Sequence, residues 1–276
     1  MKRISVAVLV LLGGINPAAA QDPLTVVVSV APQSWLVEQI GGGRVDVRVL
    51  VAPGESPALY QPTDAEVTRL VSSAIYFRIG VPFEDGPWFD AIRTVGRLEV
   101  VDQRDGIDIQ GNDPHIWLSP SRLKIQARTV ASALGRMDPE HRSEYETALQ
   151  RVEVDLDRLD REIRERLRSY FGRAFFVFHP SWSYFAKDYD LRQVAVEIDG
   201  KYPSDRQLTE LQRQAREEKV SVIFVQPQIR GRGAEAVATA IGGRVEVIDP
   251  LAPDVASNLI TVTEKLVESF AGGGGS

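Results

Sequence analysis

Residues 139–170 read PEHRSEYETALQRVEVDLDRLDREIRERLRSY. Tyr145, Leu149, Val152, Leu156, Leu159, Ile163, Leu167 and Tyr170 recur at intervals of three and four, and Arg, Asp and Glu fill the positions between them. That spacing places one apolar stripe along a single helix and leaves the other faces to solvent. A helix of this length extends about 45 Å at 1.5 Å per residue. The same stripe would serve a coiled coil, but a lone α/β chain offers it no obvious partner. We therefore expect a stiff spine, and ask what it joins.

On its N-terminal side, short β-rich runs alternate with helical stretches. The strands expected are 24–30, 45–51, 74–79 and 98–101, with helices at 33–40, 64–72, 88–93 and 121–137. On its C-terminal side the scheme repeats, with strands at 174–178, 193–198, 220–225 and 245–248 and helices at 182–189, 205–218, 234–241 and 255–270. Alternation of this kind predicts mostly parallel sheets. Thr63-Asp64-Ala65-Glu66 and Ser204-Asp205-Arg206-Gln207 are capping-box sequences that fix two helix starts. The fold class expected is α/β, with two similar lobes, each a mostly parallel sheet flanked by helices, joined by one long rigid helix. The divisions are 21–138, 139–170 and 171–270, followed by a flexible tail at 271–276 rich in glycine.

The first twenty residues carry Lys2 and Arg3, an apolar run from Ile4 to Leu12, and Pro17-Ala18-Ala19-Ala20 before Gln21. This is the pattern of a cleavable secretory signal, too short to span a bilayer. The chain contains no cysteine, so there is no disulfide framework and no thiol for a lipid anchor at the mature N-terminus. A free periplasmic protein, working as a monomer, is the expectation. The formal charge is −6, and loss of Lys2 and Arg3 makes it more negative by two. An acidic chain without a basic stripe argues against a nucleic-acid partner and is compatible with a cationic ligand.

Open parallel sheets bind ligands at the carboxyl ends of their strands. His179 follows Phe175-Phe176-Val177-Phe178 directly, Asp249 follows Val245-Glu246-Val247-Ile248, and His115 sits in the turn Asp113-Pro114-His115-Ile116-Trp117-Leu118-Ser119-Pro120 beyond the last strand of the first lobe. Each has a plain structural reading too: His115 as a turn residue, His179 as a core residue among Phe178, Trp182 and Tyr184. His141, at the polar start of the long helix and off its stripe, is expected to be solvated. Two imidazoles and a carboxylate suit a first-row divalent cation, Zn2+ for the nitrogen share, with Mn2+ or Fe2+ as alternatives. The same shell with an open position could serve a metal-dependent enzyme, but no general base stands at a recognisable spacing, although Glu55 and Glu197 are available.

Across nearly the whole mature chain, the order of motifs resembles the periplasmic metal-binding proteins of zinc and manganese ABC importers. The matching pieces are Thr25 to Pro32, Pro53-Gly54 with Tyr60-Gln61-Pro62-Thr63, Asp113 to Pro120, the long helix, Phe178-His179 with Tyr184-Phe185, Glu197-Ile198 with Pro203-Ser204, and Asp249-Pro250-Leu251. The resemblance implies a cation held between the lobes and passed to a membrane ABC permease, not an enzyme. It puts His115, His179 and Asp249 on ligand positions, and a histidine at 179 is similar to the zinc-type members. One position departs from the pattern: Ala58 stands where that family usually has its first histidine. The resemblance then implies three protein ligands, completed by water or by a neighbour such as Glu55, Tyr60 or Gln61. A cargo other than a bare cation, including a chelated metal, or a role in metal transfer to another exported protein, is the alternative.

Overall fold

The computed structural model describes residues 22–94, 96–197, 200–228 and 232–272. Residues 1–20 of the expected secretory signal, Ile198 at the end of one expected strand, and residues 273–276 of the expected tail lie outside that set.

Strands β1 (Leu24–Val28), β2 (Val45–Val49), β3 (Ile75–Arg78) and β4 (Glu99–Asp102) form one sheet in the order β2-β1-β3-β4, parallel throughout. Strands β5 (Ala174–Val177), β6 (Arg192–Ala195), β7 (Val222–Val225) and β8 (Arg244–Val247) form a second with the order β6-β5-β7-β8, again parallel. In each sheet the chain first steps one way from its first strand and then crosses to the other side. That reversal opens a crevice at the carboxyl ends of β1 and β3, and of β5 and β7, where ligands bind in such sheets.

The helices are α1 (Ala31–Gly41), α2 (Asp64–Val71), α3 (Pro87–Ile92), α4 (Pro120–Met137), α5 (Arg142–Leu167), α6 (Ser183–Asp188), α7 (Asp205–Glu217), α8 (Arg232–Ala240) and α9 (Val255–Gly272). Helix α2 starts where its capping box puts it, with Glu66 N donating to Thr63 Oγ1 and Thr63 N to Glu66 Oε2. Ser119 caps α4 through Arg122 N, and Pro120 fills the first turn. The final helix runs to Gly272, two residues beyond its expected end.

The spine is present as expected. 310 turns at Pro139–His141 and Arg168–Tyr170 extend α5 at both ends, so the helical path covers residues 139–170. Tyr145, Ala148, Val152, Leu156, Leu159, Ile163 and Leu167 are buried along it; Ala148 takes the place expected of Leu149, which is only partly covered. Helix α5 packs on α1 and α4 of the first lobe and on α9 of the second. Its stripe belongs to one apolar cluster that continues from Val26 and Phe77 beneath the first sheet to Phe175 and Phe224 beneath the second. Each fully buried Leu or Ile contributes on the order of 1.5–3 kcal/mol, so the lobes share a core and are not merely tethered. No helix among the described residues is long and apolar enough to cross a membrane.

Hydrogen bonds reinforce this junction near the strand mouths. Trp117 Nε1 donates to Pro250 O at 2.6 Å, and Tyr184 OH donates to Asp113 O at 2.9 Å. Arg122 pairs with Asp188 at 2.8 Å while its guanidinium lies 4.5 Å from the Tyr184 ring centre. Each contact crosses from one lobe to the other.

Candidate metal centre

The turn that carries His115 is held from below. Ile116, Trp117 and Leu118 are buried in a 310 turn, so the ring at its head cannot wander far. Asp113 Oδ1 accepts from His115 N at 3.0 Å and lies 2.6 Å from His115 Nδ1. A carboxylate at Nδ1 selects the tautomer protonated there and leaves Nε2 with its lone pair for a cation. Asp113 also takes the Ser183 hydroxyl from α6 of the opposite lobe. Burial pushes the Asp113 carboxyl up, but the hydrogen bonds from His115 and Ser183 outweigh it and hold the group below the usual carboxylate range.

His179 lies two residues beyond β5, at the switch point of the second sheet. Its Nδ1 is 2.5 Å from Glu197 Oε1, and Glu197 follows β6, the neighbouring strand. The arrangement repeats that of His115: a carboxylate behind the ring and Nε2 in front. The two ring centres are 5.5 Å apart with their planes inclined at 71°. Both rings line one cavity of ≈ 830 Å³ between the lobes, together with Ala58. Among the described residues its lining contains no Lys or Arg, while Asp113 and Glu197 contribute carboxylates. Such a cleft favours a cation.

Asp249 lies at the same carboxyl edge of the second sheet as His179. It follows β8, and its Oδ1 accepts from Leu251 N at 2.9 Å and from Gln228 Nε2 at 3.0 Å. Pro250 and Leu251 line the cavity, whereas Asp249 is set back from it. Among the described residues, no three His, Cys, Asp or Glu side chains are grouped as a preformed metal site. The structure therefore brings His115 and His179 together and does not group Asp249 with them.

The neighbours considered for an open position face elsewhere. Glu55 Oε2 accepts from Ala52 N at 3.3 Å, and Tyr60 and Gln61 line an adjoining groove with Phe83 and Trp88. His141 is part-buried and held in place, not freely solvated: Asp138 holds its Nδ1 at 2.8 Å, and Tyr145 OH donates to the same carboxylate at 2.6 Å. It belongs to a separate groove with Asp22 and Arg44.

Two residues behind the rings escaped the sequence reading as functional groups. The sequence marks Asp113 only as part of its turn; an Asp two residues before a candidate histidine, across a proline, is the available signal. Glu197 entered only as a motif residue and a possible base, and nothing in the sequence pairs it with a histidine 18 residues away.

The family described as zinc-uptake complex component A, periplasmic (ZnuA), matches residues 26–273. A crystal structure of ZnuA is 37% identical, with a TM-score of 0.85, covering 90% of this chain and 100% of that one. A zinc-bound ZnuA deletion mutant is 38% identical at a TM-score of 0.84, covering 90% of this chain and 98% of its own. A putative metal-binding protein of Chlamydia muridarum is 28% identical over 251 residues, 86% of this chain and 88% of that protein.

Proposed function

The chain belongs to the zinc-uptake complex component A family, and from that premise we propose that it captures a divalent cation, Zn2+ first, between its lobes and delivers it to an ABC permease. It is a transport binding protein and not an enzyme. The observation that carries the reading is the pair of imidazoles, one from each lobe, each backed at Nδ1 by a carboxylate and meeting across one cavity. Carboxylate–histidine pairs of this kind orient metal-binding rings and raise their basicity.

In this reading Nε2 of His115 and Nε2 of His179 are the nitrogen ligands. Asp249 supplies the carboxylate after a side-chain rotation that releases Oδ1 from Gln228 and the Leu251 amide. Nitrogen donors favour Zn2+ over Mn2+ or Fe2+, which remain the alternatives. The shared core along α5 makes the lobes open and close by small shifts and not by a wide swing. The protein acts in the periplasm as a monomer once residues 1–20 are removed. We assign the lobes to 21–138 and 171–270.

Elemental analysis of protein purified without chelator, then dialysed against Zn2+, Mn2+ or Fe2+, tests the reading. One zinc per chain is expected. Failure to retain any of the three cations would refute it.

A further inference from the structure

We propose that the cargo occupies this cleft as a chelate, a small imidazole- or amine-bearing amino acid completing the metal's coordination at the wall formed by Ala58. The proposal rests on the metal-binding reading above and goes beyond it by naming the second component of the ligand.

The protein is short of donors. Zinc in a closed site takes four ligands. The cleft offers two imidazoles, the Asp113 and Glu197 carboxylates are engaged behind them at Nδ1, and Asp249 adds at most one carboxylate. The remaining wall is the loop 52–61, where Ala58 lines the cavity with His115 and His179 but presents only a methyl group. Ser56 lines the cavity too but offers only a neutral hydroxyl, and no imidazole or carboxylate of that loop is placed to substitute. Glu55 is turned back on Ala52 N, Leu59 is 85% exposed, and Tyr60 and Gln61 face the adjoining groove.

The space is far larger than one coordinating water needs. A water molecule occupies about 30 Å³, and the cavity is ≈ 830 Å³, within the range of about 300–1,000 Å³ that suits small organic ligands. Its lining is also that of an organic site. Pro57, Trp117 and Leu251 offer apolar walls, and Gln110, Asn112 and Gln226 offer amides. Two lining residues hold buried donors without a protein acceptor, Ser181 Oγ and Gln110 Nε2. A buried donor left unpaired costs about 1–3 kcal/mol, and a carboxylate of the chelator, with a small adjustment of the wall, relieves that cost. Among the described residues no Lys or Arg lines the cavity, which disfavours polyanionic chelators. A zwitterion with one carboxylate and one or two nitrogen donors matches these walls. Its nitrogen takes the coordination position that faces Ala58, displacing water from the metal.

Equilibrium dialysis with isotopically labelled L-histidine as the probe decides the matter, on wild type, Ala58→His and His115→Ala, with and without one equivalent of Zn2+. Wild type is expected to retain one histidine per zinc, and none when zinc is absent. Ala58→His, which restores a protein nitrogen at an exposed loop position, is expected to keep its zinc while retained histidine falls at least tenfold. His115→Ala should retain neither. Imidazole repeated in place of histidine should be retained by wild type in the same zinc-dependent way. Zinc held by wild type with no histidine retained beside it when histidine is supplied, or zinc stripped from wild type by histidine, overturns the chelate and leaves metal capture standing. Equal histidine retention by wild type and Ala58→His also overturns it. Wild type that binds zinc under no condition refutes the metal reading itself.

Discussion

Oδ1 of Asp113 lies 2.6 Å from Nδ1 of His115, and the same carboxylate receives the hydroxyl of Ser183 from the other lobe. One side chain thus orients a candidate ligand and ties together the two halves of the cleft that must hold the cation.

Removing such a partner leaves the imidazole in place but frees its tautomer and its rotation. Asp113→Asn is expected to weaken Zn2+ binding about 10- to 100-fold, the usual cost of an outer-shell partner. Glu197→Gln, behind His179, should do the same. Competition against a chromophoric chelator measures both. Unchanged affinity in either variant would mean that its carboxylate does not serve the metal.

Acid should release the cargo. Imidazole binds a cation only when neutral, so protons compete with the metal at both rings. Zn2+ affinity is expected to fall steadily between pH 7.5 and pH 5. The same titration on His115→Ala should show a shallower slope, since one competing site is gone. A flat profile for wild type would contradict ligation by the histidines.

The spine should behave as core on one face and as surface on the other. Leu156 and Ile163 are fully covered, so Leu156→Ala and Ile163→Ala should each cost about 2–5 kcal/mol. Val154 is 57% exposed on the same helix, and Val154→Ala should stay within about 0.5 kcal/mol. Urea unfolding separates them. Equal effects at Val154 and Leu156 would contradict the stripe.

Glu84 gives stability a pH dependence of its own. Its carboxyl is fully buried, and desolvation raises it above the usual range, opposed by the Ser29 hydroxyl, the amides of Ile79 and Gly80, and Arg78. The folded state therefore holds this proton more tightly than the unfolded chain. Its contribution is complete below the ordinary glutamate range and is lost as pH rises through the raised value. The stability of wild type relative to Glu84→Gln should thus be greatest in acid and shrink towards neutrality, in urea titrations from pH 4 to pH 8. A gap that widens with pH would contradict this.

Much of the fold was legible because its strongest signals are local. The stripe of α5 and the capping boxes of α2 and α7 depend only on spacing, and they lie where the sequence puts them. Strand ends were less legible because side chains decide them. Val30 was expected in β1, but Gln33 Oε1 accepts from Ser29 N and Val30 N and turns the chain into α1. The strand expected from Val220 begins at Val222, after Lys219 takes a left-handed conformation, φ 55°, at the end of α7. At the site, His179 was legible from its place at a strand mouth. Its dependence on Glu197 was not, since adjacent parallel strands bring the two together only after the sheet has formed. The setting of Asp249, held by Gln228 and the Leu251 amide, likewise exists only in the folded chain.

The central claim is that His115 and His179 hold the cation jointly across the lobes. Competitive Zn2+ titration of wild type, His115→Ala, His179→Ala and the double variant tests it most directly. The account predicts one zinc per chain in wild type, a loss well beyond about 100-fold in each single variant, and little further loss in the double. One zinc per chain retained at wild-type affinity in either single variant would contradict it.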